Sequence, residues 1–215
     1  KGTLADAICD CALEHGAALN RDDMAAHKVD WCGTLSKKFD ALELHEIPPN
    51  GQGITALMAL GILSHTRIRE LNSDDPLAIH LQVEAIKLAL VDAETYVADD
   101  KYMSEVTSKN LLDEAYLARR AALIDETCAQ DFKIGAPING GTVYLTAADA
   151  SGMMVSFIQS NFRGFGSGIV VPGTGISLQN RGSGFNTQAG HPNCVGPSKR
   201  PFHTIIPGFA FLNDQ

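Results

Sequence analysis

The run Gly135-Ala136-Pro137-Ile138-Asn139-Gly140-Gly141 divides the 215-residue chain into two stretches with different hydrophobic periods. Before it, apolar residues recur at the three- and four-residue spacing of a helix face. After it they alternate, as on a strand. The expected fold class is therefore α+β, with a helical first half and antiparallel strands behind it. The shift at about residue 135 is the only plausible internal boundary, and no internal repeat is evident.

Leu4, Ala7, Ile8, Ala12 and Leu13 form the apolar stripe of an opening helix. Asn20-Arg21-Asp22-Asp23 offers an N-cap for a short helix over Met24 to His27. Residues Leu42 to Ile47 alternate weakly and predict a strand, ended by the turn Pro48-Pro49-Asn50-Gly51. Ile54, Leu57, Met58, Leu60, Ile62 and Leu63 make a helix that is mostly buried. From Pro76 to about Tyr96 a long helix is predicted, started by proline in its first turn and capped by Asp74 or Asp75. A further helix is predicted over Leu111 to Ile124. Thr142 to Ala148 and Met153 to Ser160 read as a hairpin turning at Asp149-Ala150-Ser151-Gly152. The apolar run Ile205 to Phe211 should continue as a strand or pair with one.

Hydrophobic residues are 45% of the chain, enough for a real core in one domain or two small ones. A net charge of −8 with only isolated basic pairs, Lys37-Lys38 and Lys199-Arg200, argues against nucleic acid as a partner. The longest apolar runs are too short and too glycine-interrupted to span a bilayer. No signal peptide is visible at the start. Five cysteines at irregular spacing (Cys9, Cys11, Cys32, Cys128, Cys194) and scattered histidines give no zinc pattern, so no metal or other cofactor is expected. Ordinary thiols favour a reducing, cytoplasmic setting slightly over a periplasmic or secreted one. Lys1 opens without a methionine and the last residues follow an apolar run directly. The expectation is a segment of a longer protein.

Two features are candidates for chemistry. Gly164, Gly166 and Gly168 have neither Rossmann nor P-loop spacing, and Ile169-Val170-Val171-Pro172-Gly173 behind them cannot open a phosphate-binding helix. A loop that approaches a substrate or another backbone closely is the better reading. Thr142, behind Gly140 and Gly141, is in isolation an ordinary β-branched residue starting a strand. The sharper reading is a self-cleaving nucleophile. Its hydroxyl attacks the carbonyl of Gly141, and hydrolysis of the resulting ester frees an α-amine with an ordinary pKa near ~8, suited to serve as the nucleophile's base. Spacing alone leaves both readings open.

The stretch Gly141-Thr-Val-Tyr-Leu-Thr-Ala-Ala-Asp149, then Gly152, Gly164-Phe-Gly-Ser-Gly168, Pro172-Gly-Thr-Gly-Ile176 and Asn180-Arg-Gly-Ser-Gly-Phe185, resembles the opening of a γ-glutamyltransferase small subunit. Gly196-Pro-Ser-Lys-Arg-Pro201 and the upstream Pro48-Pro-Asn-Gly-Gln-Gly53 also resemble family blocks, so the likeness covers nearly the whole chain in order. It implies part of an N-terminal-nucleophile (Ntn) hydrolase αββα sandwich. Residues 1–141 would then be the end of the large-subunit region, and 142–215 the start of the small-subunit region. It also implies self-cleavage between Gly141 and Thr142 and acyl transfer or hydrolysis through a threonine ester. Thr142 matches the nucleophile. Ser160 stands where the family has a threonine whose hydroxyl contacts the nucleophile. His203-Thr204 matches a paired serine motif that holds the donor's α-carboxylate.

The departures bear on the substrate. The acid that binds a glutamyl α-amino group is replaced by Gly184, a neighbouring Gln or Glu by Arg181, and an asparagine two residues beyond Ser160 by Phe162, although Asn161 sits one residue earlier. An ammonium group would lose its anion and meet a guanidinium. The implied partners are a γ-glutamyl or glutaryl donor, an amine or water acceptor, and the remainder of the parent chain; the segment alone is expected to be inactive. The alternative is a non-catalytic or unprocessed domain of such a protein.

Overall fold

The computed structural model describes residues 1–132 and 142–213. The Gly135–Gly141 passage, and with it the proposed scissile bond, lies outside the described residues. The fold is α+β. Helices α1 (Thr3–Glu14), α2 (Arg21–Ala26), α3 (Gly53–Ser64), α4 (Pro76–Tyr96), α5 (Ser108–Leu111) and α6 (Glu114–Ala121) occupy the first part, together with strands β1 (Leu35–Phe39) and β2 (Leu42–Glu46). Beyond Thr142 come β3 (Thr142–Ala148), β4 (Met154–Ser160), β5 (Val170–Val171), β6 (Ile176–Ser177) and β7 (Phe209–Leu212).

The chain forms two compact units. The first comprises Lys1–Cys32, Thr142 and Ser160–Arg181. Here α1 buries Ala5, Cys9, Cys11 and Ala12, and Arg21 of α2 reaches back to Asp6 at 2.9 Å and Asp10 at 2.8 Å. Asn20 caps α2 through a capping box with Asp23.

The second unit comprises 33–132, Val143–Gln159 and 182–213. Its centre is α3, where Ile54, Leu57, Met58 and Ile62 are fully buried. Helix α4 packs along it, with Asp75 accepting from Leu77 N–H at the cap. The antiparallel sheet β1-β2-β7 lies against it as well, in the register Leu35↔Glu46 and His45↔Phe209. The run ending in Phe211 thus pairs with β2. At Gly61 a β-carbon would stand 2.5 Å from Leu117 Cδ1, so the missing side chain lets α6 close on α3.

Two departures from the sequence reading have local causes. The helix expected over Leu111 to Ile124 is two helices, because Asp113 accepts from Tyr116 N–H at 3.0 Å and caps a new start. Strand β1 escaped detection because Lys37 stands on its inner face. The lysine stem runs past Gly61 to reach Glu114 at 2.5 Å, so polar Lys37 occupies an apolar slot in the alternation.

Glu46, the last residue of β2, is 4% exposed. β-Carbons at Gly53 and Gly208 would each lie 2.6 Å from its carboxylate oxygens, so two glycines make room for it. Its Oε2 has no hydrogen-bond partner among the described residues, and burial pushes its pKa up. A raised carboxyl pKa favours the fold below the ordinary value of about 4.5, and that contribution is lost as pH climbs through the raised value. Thermal melts from pH 4 to pH 8 should therefore show wild type losing stability relative to Glu46→Gln as pH rises. A pH-independent difference between the two would mean that Glu46 ionises at no cost.

Candidate active site

β3 and β4 pair as a two-stranded sheet, so the start of one strand and the end of the other come side by side. The turn between them is built by Asp149, whose Oδ1 accepts from Ser151 N–H at 2.8 Å, Ser151 Oγ at 2.6 Å and Met153 N–H at 3.1 Å. These bonds hold its carboxyl below the usual range, with the Ser151 hydroxyl the largest cause. Gly152 takes a φ of 86°, which favours glycine.

At the open end of this hairpin, in the first unit, Thr142 Oγ1 donates to Ser160 Oγ at 3.1 Å. The same oxygen accepts Phe162 N–H at 2.9 Å. Ser160 is therefore locked as an acceptor, which fixes the orientation of the Thr142 hydroxyl. Phe162 adopts a φ of 80°, unusual for a bulky residue. Its ring faces two guanidinium groups, Arg163 and Arg181, each 5.1 Å from the ring centroid. Arg181 is only 6% exposed, and burial pushes its pKa down. The guanidinium is a buried cation, and it is linked through Phe162 to the hydroxyl pair.

The glycine tract behaves as a close-approach loop. Gly166, at φ 72°, brings its backbone so near Leu178 that a β-carbon would lie 2.5 Å from the Leu178 carbonyl oxygen. Asn180 braces the loop by donating from Nδ2 to Gly166 O at 3.0 Å and accepting Arg163 N–H at 3.1 Å.

In the second unit, Gly184 and His203 lie on two neighbouring segments. A β-carbon at Gly184 would come within 3.1 Å of Phe202 O. The 200–203 stretch is held at each step. Arg200 N–H donates to Asp99 Oδ2 (3.1 Å), Asn50 Nδ2 to Pro201 O (2.6 Å), Phe202 N–H to Asn193 Oδ1 (2.9 Å), and His203 N–H to Asn50 O (2.9 Å). Gln52 N–H in turn donates to His203 O at 2.7 Å. Ile205 N–H donates to His203 Nδ1 at 3.4 Å, which places the proton of the neutral ring on Nε2. Thr204 is exposed.

The sequence profile described as Gamma-glutamyltranspeptidase matches residues 1–215, the whole chain. The chain belongs to the gamma-glutamyltranspeptidase family. It is 35% identical over 214 residues to the oxamate amidohydrolase proenzyme of Klebsiella pneumoniae, covering 100% of this chain and 40% of that protein. It is 33% identical over 207 residues to the glutathione hydrolase-like YwrD proenzyme of Bacillus subtilis, covering 96% and 39%. Among solved structures, a cephalosporin acylase from Bacillus halodurans superposes with a TM-score of 0.88 at 44% identity, over 99% of this chain and 38% of that one. The chain thus spans about two fifths of the length of the curated relatives it matches.

Within this gamma-glutamyltranspeptidase segment, sequence reasoning named Thr142, Ser160, Arg181, Gly184, His203 and Thr204 but missed Asn50, Asp99 and Asn193. Asn50 and Asp99 hold backbone groups more than 100 residues away, and Asn193 bridges groups nine residues to either side of it, roles that leave no local pattern. Asn50 alone carried a signal, as part of the Pro-Pro-Asn-Gly-Gln-Gly block. Gly166→Ala should lower the melting temperature, since it adds both a disfavoured φ and a contact on Leu178 O, worth about 1–3 kcal/mol. An unchanged melt would mean the loop has slack at that point.

Proposed function

We propose that the protein is an Ntn amidase or acyltransferase that cuts its own chain before Thr142 and then works through a threonine ester. The observation that carries this reading is the Thr142–Ser160 hydroxyl contact at 3.1 Å in a chain matched throughout by the family profile. In processing, Thr142 Oγ1 attacks the Gly141 carbonyl, the peptide C–N bond breaks and an ester forms. Water then cleaves that ester, leaving a carboxylate on Gly141 and a free α-amine on Thr142. In turnover that amine, with an ordinary pKa of ~7.7–8.0, takes the hydroxyl proton as Oγ1 attacks the donor's amide carbonyl. The proton passes to the departing amine. Water or an acceptor amine then resolves the acyl ester.

On this reading 1–141 is the end of the large-subunit region, 142–215 the start of the small-subunit region, and both contribute to an αββα sandwich. All six described helices precede residue 132, and strands with one short helical turn follow Thr142, which supports that division. The donor is a small acyl amide and the acceptor is water or an amine. Relatives named as an oxamate amidohydrolase and a cephalosporin acylase support amide donors beyond glutathione.

The donor end is read from charge. Gly184 offers no anion to an ammonium group, and Arg181 is a buried cation. Donors carrying a carboxylate but no ammonium, such as glutaryl amides, are favoured. His203, with its Nε2–H donor, and Thr204 receive the carboxylate.

Thr142→Ala in the full-length protein should give an uncut chain on a denaturing gel and by intact mass, with no turnover. Normal cutting in that variant would place the nucleophile elsewhere. Ser160→Ala should fold but process about fivefold more slowly, the equivalent of ~1 kcal/mol for a lost hydrogen bond.

A charge-assisted arginine–carboxylate pair contributes ~1.5–3 kcal/mol. Arg181→Gln should therefore lower the ratio of kcat/KM for glutaryl over γ-glutamyl anilide about tenfold or more. The single change is the cleaner test, because any side chain at Gly184 presses on Phe202 O. A constant ratio would remove Arg181 from donor selection.

A further inference from the structure

We propose that Asn193 is a positioning residue for the acyl donor, acting through Gly184 and the His203-Thr204 pair. The proposal rests on the reading that these positions meet the donor.

Asn193 is 6% exposed and uses both ends of its side-chain amide. Nδ2 donates to Gly184 O at 2.8 Å and Oδ1 accepts Phe202 N–H at 2.9 Å. Each partner is nine residues away, one upstream and one downstream. A carbonyl can only accept and a backbone N–H can only donate, so the two partners fix which end of the amide faces which segment. The backbone of Asn193 is held too: its N–H donates to His191 Nδ1 at 3.0 Å and its carbonyl accepts Asn186 N–H at 2.9 Å. The residue is a rigid bracket with no spare polar group.

The bracket joins two segments that already touch, because a β-carbon at Gly184 would meet Phe202 O at 3.1 Å. The far flank of 201–203 is fixed by Asn50, through Pro201 O and His203 N–H. The run leading to His203 and Thr204 is thus clamped between two asparagines. Asn193 is the one that ties it to Gly184. Positioning a donor is sensitive to small displacements: a misplacement of about 1 Å can cost on the order of 100-fold.

Self-cleavage needs Thr142, Ser160 and the scissile bond but no bound donor, so it separates a donor-positioning role from a general structural one. Asn193→Asp keeps the shape of the side chain and its bond to Phe202 N–H. It turns a carboxylate oxygen towards Gly184 O, where two acceptors repel. At acidic pH the protonated carboxyl can donate to that carbonyl and restore the bracket.

The experiment uses full-length protein, with processing followed on denaturing gels and turnover measured with glutaryl and γ-glutamyl p-nitroanilide between pH 5 and pH 8. The expected result is processing at the wild-type rate, KM for the preferred anilide raised about tenfold or more at pH 8, kcat changed less than about threefold, and KM falling back towards wild type at pH 5. A wild-type KM in a folded, cut variant overturns the proposal. If Asn193→Asp does not fold, Asn193→Ser takes its place, leaving room for a water between the two backbone groups, and the same rise in KM at pH 8 is required. If neither variant folds, Asn193 serves only the structure and the proposal also falls. Failure of the underlying reading looks different: wild-type protein would itself stay uncut or turn over neither anilide.

Discussion

Helix α3 has no polar side. Gly53, Ile54, Thr55, Leu57, Met58, Ala59, Gly61, Ile62 and Leu63 are all buried, so the helix is stable only where other elements cover it all round. Helix α4 and the β1-β2-β7 sheet cover its length, and α6 closes over Gly61. The consequence that matters for chemistry is at its N-terminal end. The chain enters α3 through the Asn50–Gln52 turn, and that turn carries the backbone of His203 by two hydrogen bonds. Burying this mostly apolar helix thus also fixes the place of the 200–203 stretch. Glu46 pushes in at the same end, kept there by the two glycines that leave it space.

Thr142 has the opposite setting. Thr142 is exposed at the first position of a strand, and its hydroxyl is oriented by one neighbour across the hairpin. Ser160 can do this because its own oxygen is held by Phe162 N–H, which in turn requires the unusual φ of Phe162. That conformation carries the phenylalanine ring to Arg181. Phe162 therefore both holds Ser160 and stacks on the Arg181 guanidinium, which links the orientation of the Thr142 hydroxyl to the placing of that cation.

What was legible in the sequence follows the range of the interactions. Helices α1, α3 and α4 and the β3–β4 hairpin are written in local periodicity and caps, and Asp75 caps α4 as its residue type predicts; α2 starts at Arg21, three residues earlier than expected, because Asn20 accepts from the N–H groups of Asp22 and Asp23. Strand β1 was hidden because an inward lysine reached Glu114 of α6, an interaction between residues far apart in the chain. The break at Asp113 was hidden by apolar residues that continue the helical period on both sides of it. Thr142 and Ser160 were named from the family resemblance, and the hairpin, which is local, accounts for their being neighbours. Asp99 was not legible, because a carboxylate that holds a backbone group 101 residues away has no characteristic neighbours, and Asn193 was not, because bridging two irregular segments nine residues to either side follows no periodic spacing.

On the proposed reading, the charge of the donor end rests on few residues. A glutamyl donor and a glutaryl donor differ by one ammonium group, and the acid that would meet it would stand on the turn at Gly184. That turn is pressed against Phe202 O and bonded to Asn193, so an acid could be accommodated there only by shifting the Phe202 carbonyl. The missing anion is therefore more than a missing side chain, because the surrounding backbone has closed on the space. Arg181 is held separately, buried against the ring of Phe162, whose N–H holds Ser160. On the proposed reading, converting the donor end to ammonium recognition would take changes at both Arg181 and Gly184, because the first is a cation and the second cannot carry an acid without a shift of the Phe202 carbonyl.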